Sequence, residues 1–223
     1  GAWRSWGGSP GVSGVVSAQT TWDPDGEGPL NAQLIAAGGF ATAGGLTVNY
    51  IARWDGSSWQ PLGSGMNTGV HALTTWDPDG TGPLPAELVA GGSFTTAGGV
   101  MANRIARWNG TAWQPLGTGI SGGSSPIIYA LTTWDPDGAG PLSAQIVAGG
   151  QFTTAGTETV NNIARWDGSA WQPFSIGMSS GSGTPVVRAL TTWDPDGAGL
   201  QPAQLIAGGS FTLAGGRASR NIA

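Results

Sequence analysis

The sequence predicts an all-β chain built from about four copies of a unit of four short antiparallel strands. Three observations predict it. The string Trp-Asp-Pro-Asp-Gly begins at Trp22, Trp76, Trp134 and Trp193, at intervals of 54 to 59 residues. A second string, Ala-Gly-Gly-x-Phe, follows each copy: Ala90 to Phe94, Ala148 to Phe152, Ala207 to Phe211, and a version read as one residue shorter, Ala37-Gly38-Gly39-Phe40. No segment carries apolar residues at the 3.6-residue period over a length sufficient for a helix. Repetition at such a period is the mark of an array of supersecondary units.

Each strand can be read from the second copy. Val70-His71-Ala72-Leu73-Thr74-Thr75-Trp76 is rich in β-branched and aromatic residues and forms the first strand. Pro78-Asp79-Gly80 supplies turn chemistry, since proline presets φ and glycine accepts a positive φ. Glu87-Leu88-Val89-Ala90 is the second strand, closed by Gly91-Gly92. Arg104-Ile105-Ala106-Arg107-Trp108 is the third, and Asn109-Gly110 is a tight hairpin signal. Ala112-Trp113-Gln114-Pro115-Leu116 is the fourth, where a proline suits a sheet edge. Four short antiparallel strands per repeat is the pattern of a β-propeller blade.

These residues carry a resemblance. A strand ending in diglycine, then an aromatic in the next strand and a tryptophan about five residues later, resembles the kelch blade. The diglycines are Gly38-Gly39, Gly91-Gly92, Gly149-Gly150 and Gly208-Gly209, and the aromatic pairs are Trp54 with Trp59, Trp108 with Trp113 and Trp166 with Trp171. The longer phrase through Asn-x-Ile-Ala-Arg-Trp-Asp-Gly is similar to repeats of large exported bacterial proteins and to the propeller of fungal cortical polarity markers. Tryptophan stands where kelch blades usually have tyrosine. The resemblance implies a binding scaffold, although a few such propellers carry oxidase or isomerase sites.

The chain reads as one domain over 1–223, with repeats near 1–59, 60–113, 114–171 and 172–223. Residues 1–7, with Trp3 and Trp6, align with a fourth strand. Residues 220–223 align with the start of a third and stop before the expected Arg-Trp-Asp-Gly. Three arrangements stay open: a ring of four closed by the N-terminal strand, part of a larger propeller in a longer chain, and closure by two copies.

Composition narrows the function classes. Hydrophobic residues are 39% and charged residues 9% of the chain, with 41 glycines and 12 tryptophans, which argues for a packed array over a disordered chain. The net charge is −5 and the eight basic residues, all arginine, are scattered along the sequence. No basic run offers itself to nucleic acid or to an anionic membrane surface, and no apolar run would insert into a bilayer. Cysteine is absent, so neither disulfides nor thiolate metal sites are expected. Abundant Thr, Ser and Gly without lysine points to an extracellular or cell-surface bacterial setting.

Candidate site residues fall into two groups. Eight of the thirteen acidic residues lie in the Asp-Pro-Asp-Gly turns: Asp23 and Asp25, Asp77 and Asp79, Asp135 and Asp137, Asp194 and Asp196. Asp-x-Asp-Gly-x-Gly resembles the opening of a calcium loop, but the further oxygen ligands are missing and the proline explains the motif as a rigid turn. No cofactor is expected, with calcium as the alternative. The second group is Ser17, His71, Tyr129 and Arg188, which occupy one position at the start of the first strand, where the repeats differ sharply. The loops before them differ in length too. In an up-and-down unit these loops share one face with the links between second and third strands, while the acidic turns share the other. Binding concentrates on variable loops held by a rigid scaffold, so the site is placed on the variable face.

Arg53, Arg107 and Arg165 precede the third-strand tryptophans and are expected to pair with aspartates of a neighbouring turn. The tryptophans are expected to pack between units more than to stack on sugars. No Gly-x-Ser-x-Gly, phosphate loop or histidine pair is present. The expected function is a non-catalytic binding or scaffolding module for a protein or glycan. The alternatives are a calcium-dependent lectin or enzyme built on the acidic turns, and an architectural subunit of a homo-oligomer or larger assembly.

Overall fold

The computed structural model describes residues 11–26, 28–80, 82–138, 140, 142–181, 183–197 and 201–223. The described residues are all-β, without a helix, and form several antiparallel sheets. The expected fourth strand of residues 1–7, with Trp3 and Trp6, lies outside them.

Three repeats each build a four-stranded sheet in which strand order follows chain order. The first comprises Val15–Trp22, Gln33–Gly39, Ile51–Trp54 and Trp59–Pro61. The second comprises Val70–Trp76, Glu87–Gly92, Ile105–Trp108 and Trp113–Pro115. The third comprises Ile127–Trp134, Gln145–Gln151, Ile163–Trp166 and Trp171–Pro173. The fourth repeat pairs Val186–Trp193 with Gln204–Ser210, and residues 221–223 run beside the latter through bonds such as Ala223 N–H to Ala207 O at 2.9 Å. Prolines 61, 115 and 173 sit in the outermost strand, where a missing N–H costs no ladder bond.

A feature absent from the sequence reading is a small hairpin between second and third strands. It pairs Thr42–Ala43 with Leu46–Thr47, Thr96–Ala97 with Val100–Met101, Thr154–Ala155 with Glu158–Thr159, and Leu213–Ala214 with Arg217–Ala218. The link leaving each sheet bonds to the hairpin of the next, as in Gly98 N–H to Gly65 O at 2.8 Å and Gly156 N–H to Gly119 O at 2.8 Å. The links and the bases of the hairpins therefore occupy one end of the sheets and the Asp-Pro-Asp-Gly turns the other, while the hairpin tips fold along the outermost strand, where Gly98 meets Trp113 and Glu158 shares a cleft with Ser169 and Ala170 of the Asp167 turn. We call the two ends the hairpin end and the turn end.

Tryptophans join neighbouring sheets at both ends. At the turn end the indole N–H of Trp22 donates to Ala86 O, that of Trp76 to Ala144 O and that of Trp134 to Ala203 O, at 2.7–2.8 Å. At the hairpin end Trp113 donates to Leu62 O and Trp171 to Leu116 O, both at 2.9 Å. The third-strand and fourth-strand tryptophans meet edge-on or tilted at 5.5–5.6 Å within each hairpin. The core lies between sheets and is lined by these rings with residues such as Ile35, Leu88, Val89 and Ile146. Trp193 is 55% exposed, against 3% for Trp22 and Trp76.

The glycine string needs one correction. From Trp22 to Phe40 the spacing equals that from Trp76 to Phe94, so no residue is missing from the first repeat. Register shows Gly38 opposite Val16 as Gly92 is opposite Val70, which makes Ala37 the counterpart of Gly91, and Gly39 that of Ser93. The second glycine carries the constraint. A Cβ there would lie 2.1 Å from Val15 O at Gly38, 2.3 Å from Gly69 O at Gly92 and 2.0 Å from Ile127 O at Gly150. The backbone of the first strand presses against that glycine.

The arginine expectation is also corrected. Arg107 pairs with Glu87 at 3.0 Å, and Arg53 and Arg165 donate to the side-chain oxygens of Gln33 and Gln145 at 3.2 Å. The partners belong to the same sheet, not to a neighbouring turn. Adjacent antiparallel strands bring the guanidinium to the start of the second strand, within reach of residue 33, 87 or 145.

Two predictions follow from this geometry. Gly92→Ala should destabilise the protein by about 1–3 kcal/mol through the clash with Gly69 O. Gly39→Ser should stay within about 0.5 kcal/mol of the parent, because no atom lies within 4 Å of a Cβ there. Urea unfolding checks both. In the same assay Trp76→Phe, which leaves Ala144 O without its donor, should cost about 1–2 kcal/mol, whereas Trp193→Phe should cost under about 0.5 kcal/mol.

Candidate functional site

The four variable residues occupy one structural device. In each first strand the register shifts by one residue: Val16 and Ala18 pair with consecutive residues across the sheet, as do Val70 and Ala72, Ile128 and Ala130, and Val187 and Ala189. The residues left without a pair are Ser17, His71, Tyr129 and Arg188. Each is the extra residue of a β-bulge, which bends the strand and re-aims a side chain. The glycine described above makes room for the bulged strand, so the diglycine string and the variable position are two halves of one feature.

The first strands of successive sheets lie side by side, which brings the bulge residues together. The rings of His71 and Tyr129 lie 5.8 Å apart at an interplanar angle of 38°. The Arg188 guanidinium carbon sits 5.2 Å from the centre of the Tyr129 ring, a cation–π distance. Tyr129 is thus bracketed by His71 and Arg188. Ser17, on the first sheet, is exposed. Burial lowers the His71 pKa below its ordinary value of 6.5, so the imidazole is neutral at pH 7. The row offers a hydroxyl, a neutral imidazole, a phenol and an exposed guanidinium held over an aromatic ring.

The eight turn aspartates are engaged by their own loops. The first of each pair accepts the N–H of the second: Asp23 from Asp25 at 3.3 Å, and Asp77 from Asp79, Asp135 from Asp137 and Asp194 from Asp196 at 3.1 Å. The second reaches five residues on, with Asp25 accepting from Leu30, Asp79 from Leu84, Asp137 from Leu142 and Asp196 from Gln201 at 3.1–3.2 Å. Among the described residues no three His, Asp or Glu side chains converge as metal ligands would. A groove of about 670 Å³ separates the acidic loops of the first two repeats, lined by residues such as Asp25, Asp77, Leu84 and Pro85. Asp55 caps the neighbouring turn: N–H groups of Ser58 and Ser57 and the Ser57 hydroxyl bond to it, and they hold its carboxyl well below the usual carboxylate range.

Sequence reasoning missed a sorting of charge. Arg104, Arg188 and Arg220 lie at the hairpin end, and Arg217 stands on the tip of the fourth hairpin at the position that Glu158 holds in the third. The turn end carries the eight turn aspartates, with Asp55 and Asp167 in the other turns. Arg53, Arg107 and Arg165 lie at the turn end, each bonded to a side chain of its own sheet. Arg104 stands out further. The residue before the third strand is left-handed in every repeat: Tyr50 at φ 73°, Arg104 at 65°, Asn162 at 65° and Asn221 at 66°. Asparagine tolerates that conformation, whereas arginine and tyrosine adopt it at a cost. The position was visible in the sequence, but its backbone angle was not.

No protein-family model matches this chain, no curated protein is detectably similar to it, and no solved structure matches it. The reading of the site rests on the residues themselves.

His71 is the single histidine, so its titration can be followed directly by proton NMR. Its midpoint should fall below 6.5 in the folded protein. The unfolded chain then takes up the proton first, so stability is full above that value and declines as pH falls through it. His71→Phe should remove that part of the pH dependence of urea unfolding.

Proposed function

We propose that the chain is a kelch-like β-propeller array acting as a non-catalytic binding module in an extracellular setting. Its ligand, a protein or glycan, engages the hairpin end through Ser17, His71, Tyr129 and Arg188. The observation that carries this reading is the bulge row. One backbone device, repeated in every unit, presents a different side chain each time, and three of the four touch. A purely structural position would favour one residue type throughout, as the neighbouring tryptophans and glycines do. Invariant frame beside variable projection is how a scaffold carries specificity. Among the described residues no carboxylate is bonded to His71, the partner that orients a catalytic imidazole in triad chemistry.

The acidic turns serve the frame in this reading. Each carboxylate replaces a backbone acceptor and fixes the approach to the second strand.

Glycan and peptide arrays probed with the parent chain, Tyr129→Ala and Arg188→Ala test the proposal. Binding to the array hit should drop about tenfold or more in both variants, with melting temperature unchanged, as for truncated interface anchors. Equal binding by parent and variants rejects this surface. Calcium added to chelator-treated protein should leave its melting temperature unchanged; a rise would move the site to the turn end.

A further inference from the structure

The hairpin end is chemically unlike the rest of the molecule, and the difference says what kind of partner fits it. The chain carries a net charge of −5, yet Arg104, Arg188 and Arg220 lie at this end, with Arg217 on the tip of the adjoining hairpin. Arg188, Arg217 and Arg220 are exposed, and Arg188 is braced over Tyr129. Arg104 is half-buried, and its Nε–H donates to Pro126 O at 3.3 Å, which fixes the guanidinium plane. It also holds a left-handed backbone where the third and fourth repeats use asparagine. Tyr50 holds the same conformation in the first repeat, so two residues other than asparagine or glycine accept the cost of that backbone at this end. The hairpins and links also expose apolar side chains, Met101 at 75%, Ile176 at 62% and Leu46 at 47%, and Ile176 packs on Gly216 next to Arg217.

We propose that the partner bound at the hairpin end is an acidic protein segment, a peptide carrying carboxylates flanked by apolar side chains. This rests on the reading of the hairpin end as the binding surface and names the class of ligand. Three arguments favour it. Arginine presents a rigid fork that matches a carboxylate with two parallel hydrogen bonds, and every cation here is arginine. Arg, Tyr and Met with few carboxylates is the composition of a protein–protein interface core. A sugar ring would ask for an open aromatic face, whereas Tyr129 is bracketed by His71 and Arg188. The opposite end, with ten aspartates, repels an acidic partner, so the field of the protein orients the encounter.

The test uses the whole chain and a short fluorescein-labelled peptide of glutamate and leucine, read by fluorescence anisotropy. Binding should be measurable at low ionic strength and weaken as salt rises. A peptide with lysine in place of glutamate should not bind. Arg188→Glu and Arg217→Glu, both at exposed positions, should each weaken binding about tenfold or more without lowering the melting temperature. Arg104→Asn should raise the melting temperature, because asparagine suits the left-handed backbone, and still weaken binding. That split separates a binding role from a structural one. Polygalacturonate or a DNA oligonucleotide binding more tightly than the peptide would overturn the assignment, as would unchanged binding by the charge-reversal variants or no binding at all. If only the peptide fails while an array hit still depends on Tyr129, the surface stands and the acidic class falls. If Tyr129→Ala and Arg188→Ala leave every interaction intact, the surface itself falls.

Discussion

The array depends on the indole N–H that crosses from one sheet to the next. A sheet of four short strands cannot bury its own faces, so its stability comes from its neighbours. Trp22, Trp76 and Trp134 reach backbone carbonyls of the following sheet at the turn end, and Trp113 and Trp171 reach those of the preceding sheet at the hairpin end. Each ring fills the space between sheets and satisfies a polar group that burial would leave unpaired. Tryptophan does both at once; tyrosine or phenylalanine would give up the N–H. That dual demand accounts for tryptophan at these five positions, whereas Trp108 and Trp166, whose indole N–H groups are buried without a partner among the described residues, contribute packing alone.

With the sheets held in order, a second constraint shapes the surface. The first strand approaches the second strand's diglycine too closely for any side chain, as at Gly92 beneath Gly69 O. The close approach accompanies the bulge, and the bulge turns one residue per sheet away from the paired ladder. A structural glycine in one strand thus makes room for a variable side chain in the strand beside it. The same backbone arrangement yields a serine, a histidine, a tyrosine and an arginine, and the contact between sheets sets the last three in a row.

Charge follows the same logic. The carboxylates close turns, so they gather where turns gather. Of the arginines outside the third-strand pairs, Arg104, Arg188 and Arg220 lie at links and a bulge, so they sit at the opposite end. An acidic protein therefore carries one basic, partly apolar end, and it is the end whose loops differ most from repeat to repeat. Uniform turns and variable loops are separated in space, which lets the loops vary without disturbing the turns.

The sequence by itself determined the repeat, its strands and its punctuation. Strand positions were legible because β-branched and aromatic runs alternate with Pro-Asp-Gly, Gly-Gly and Asn-Gly, and these act locally through backbone preference. The variable position was legible by comparing repeats, since Ser17, His71, Tyr129 and Arg188 differ where their neighbours agree. Tertiary structure decided the rest. Two-residue hairpins such as Thr96–Ala97 with Val100–Met101 leave almost no local pattern, because neighbouring links support them. The partner of Arg107 was misassigned, since the choice between Glu87 and a distant aspartate depends on strand register. The bulge depends on the pairing of two strands within a sheet, the left-handed backbone at Arg104 on the link into the third strand, and the contact of His71, Tyr129 and Arg188 on sheets that stand side by side. Residues tens of positions apart become neighbours there, and no linear pattern encodes that distance.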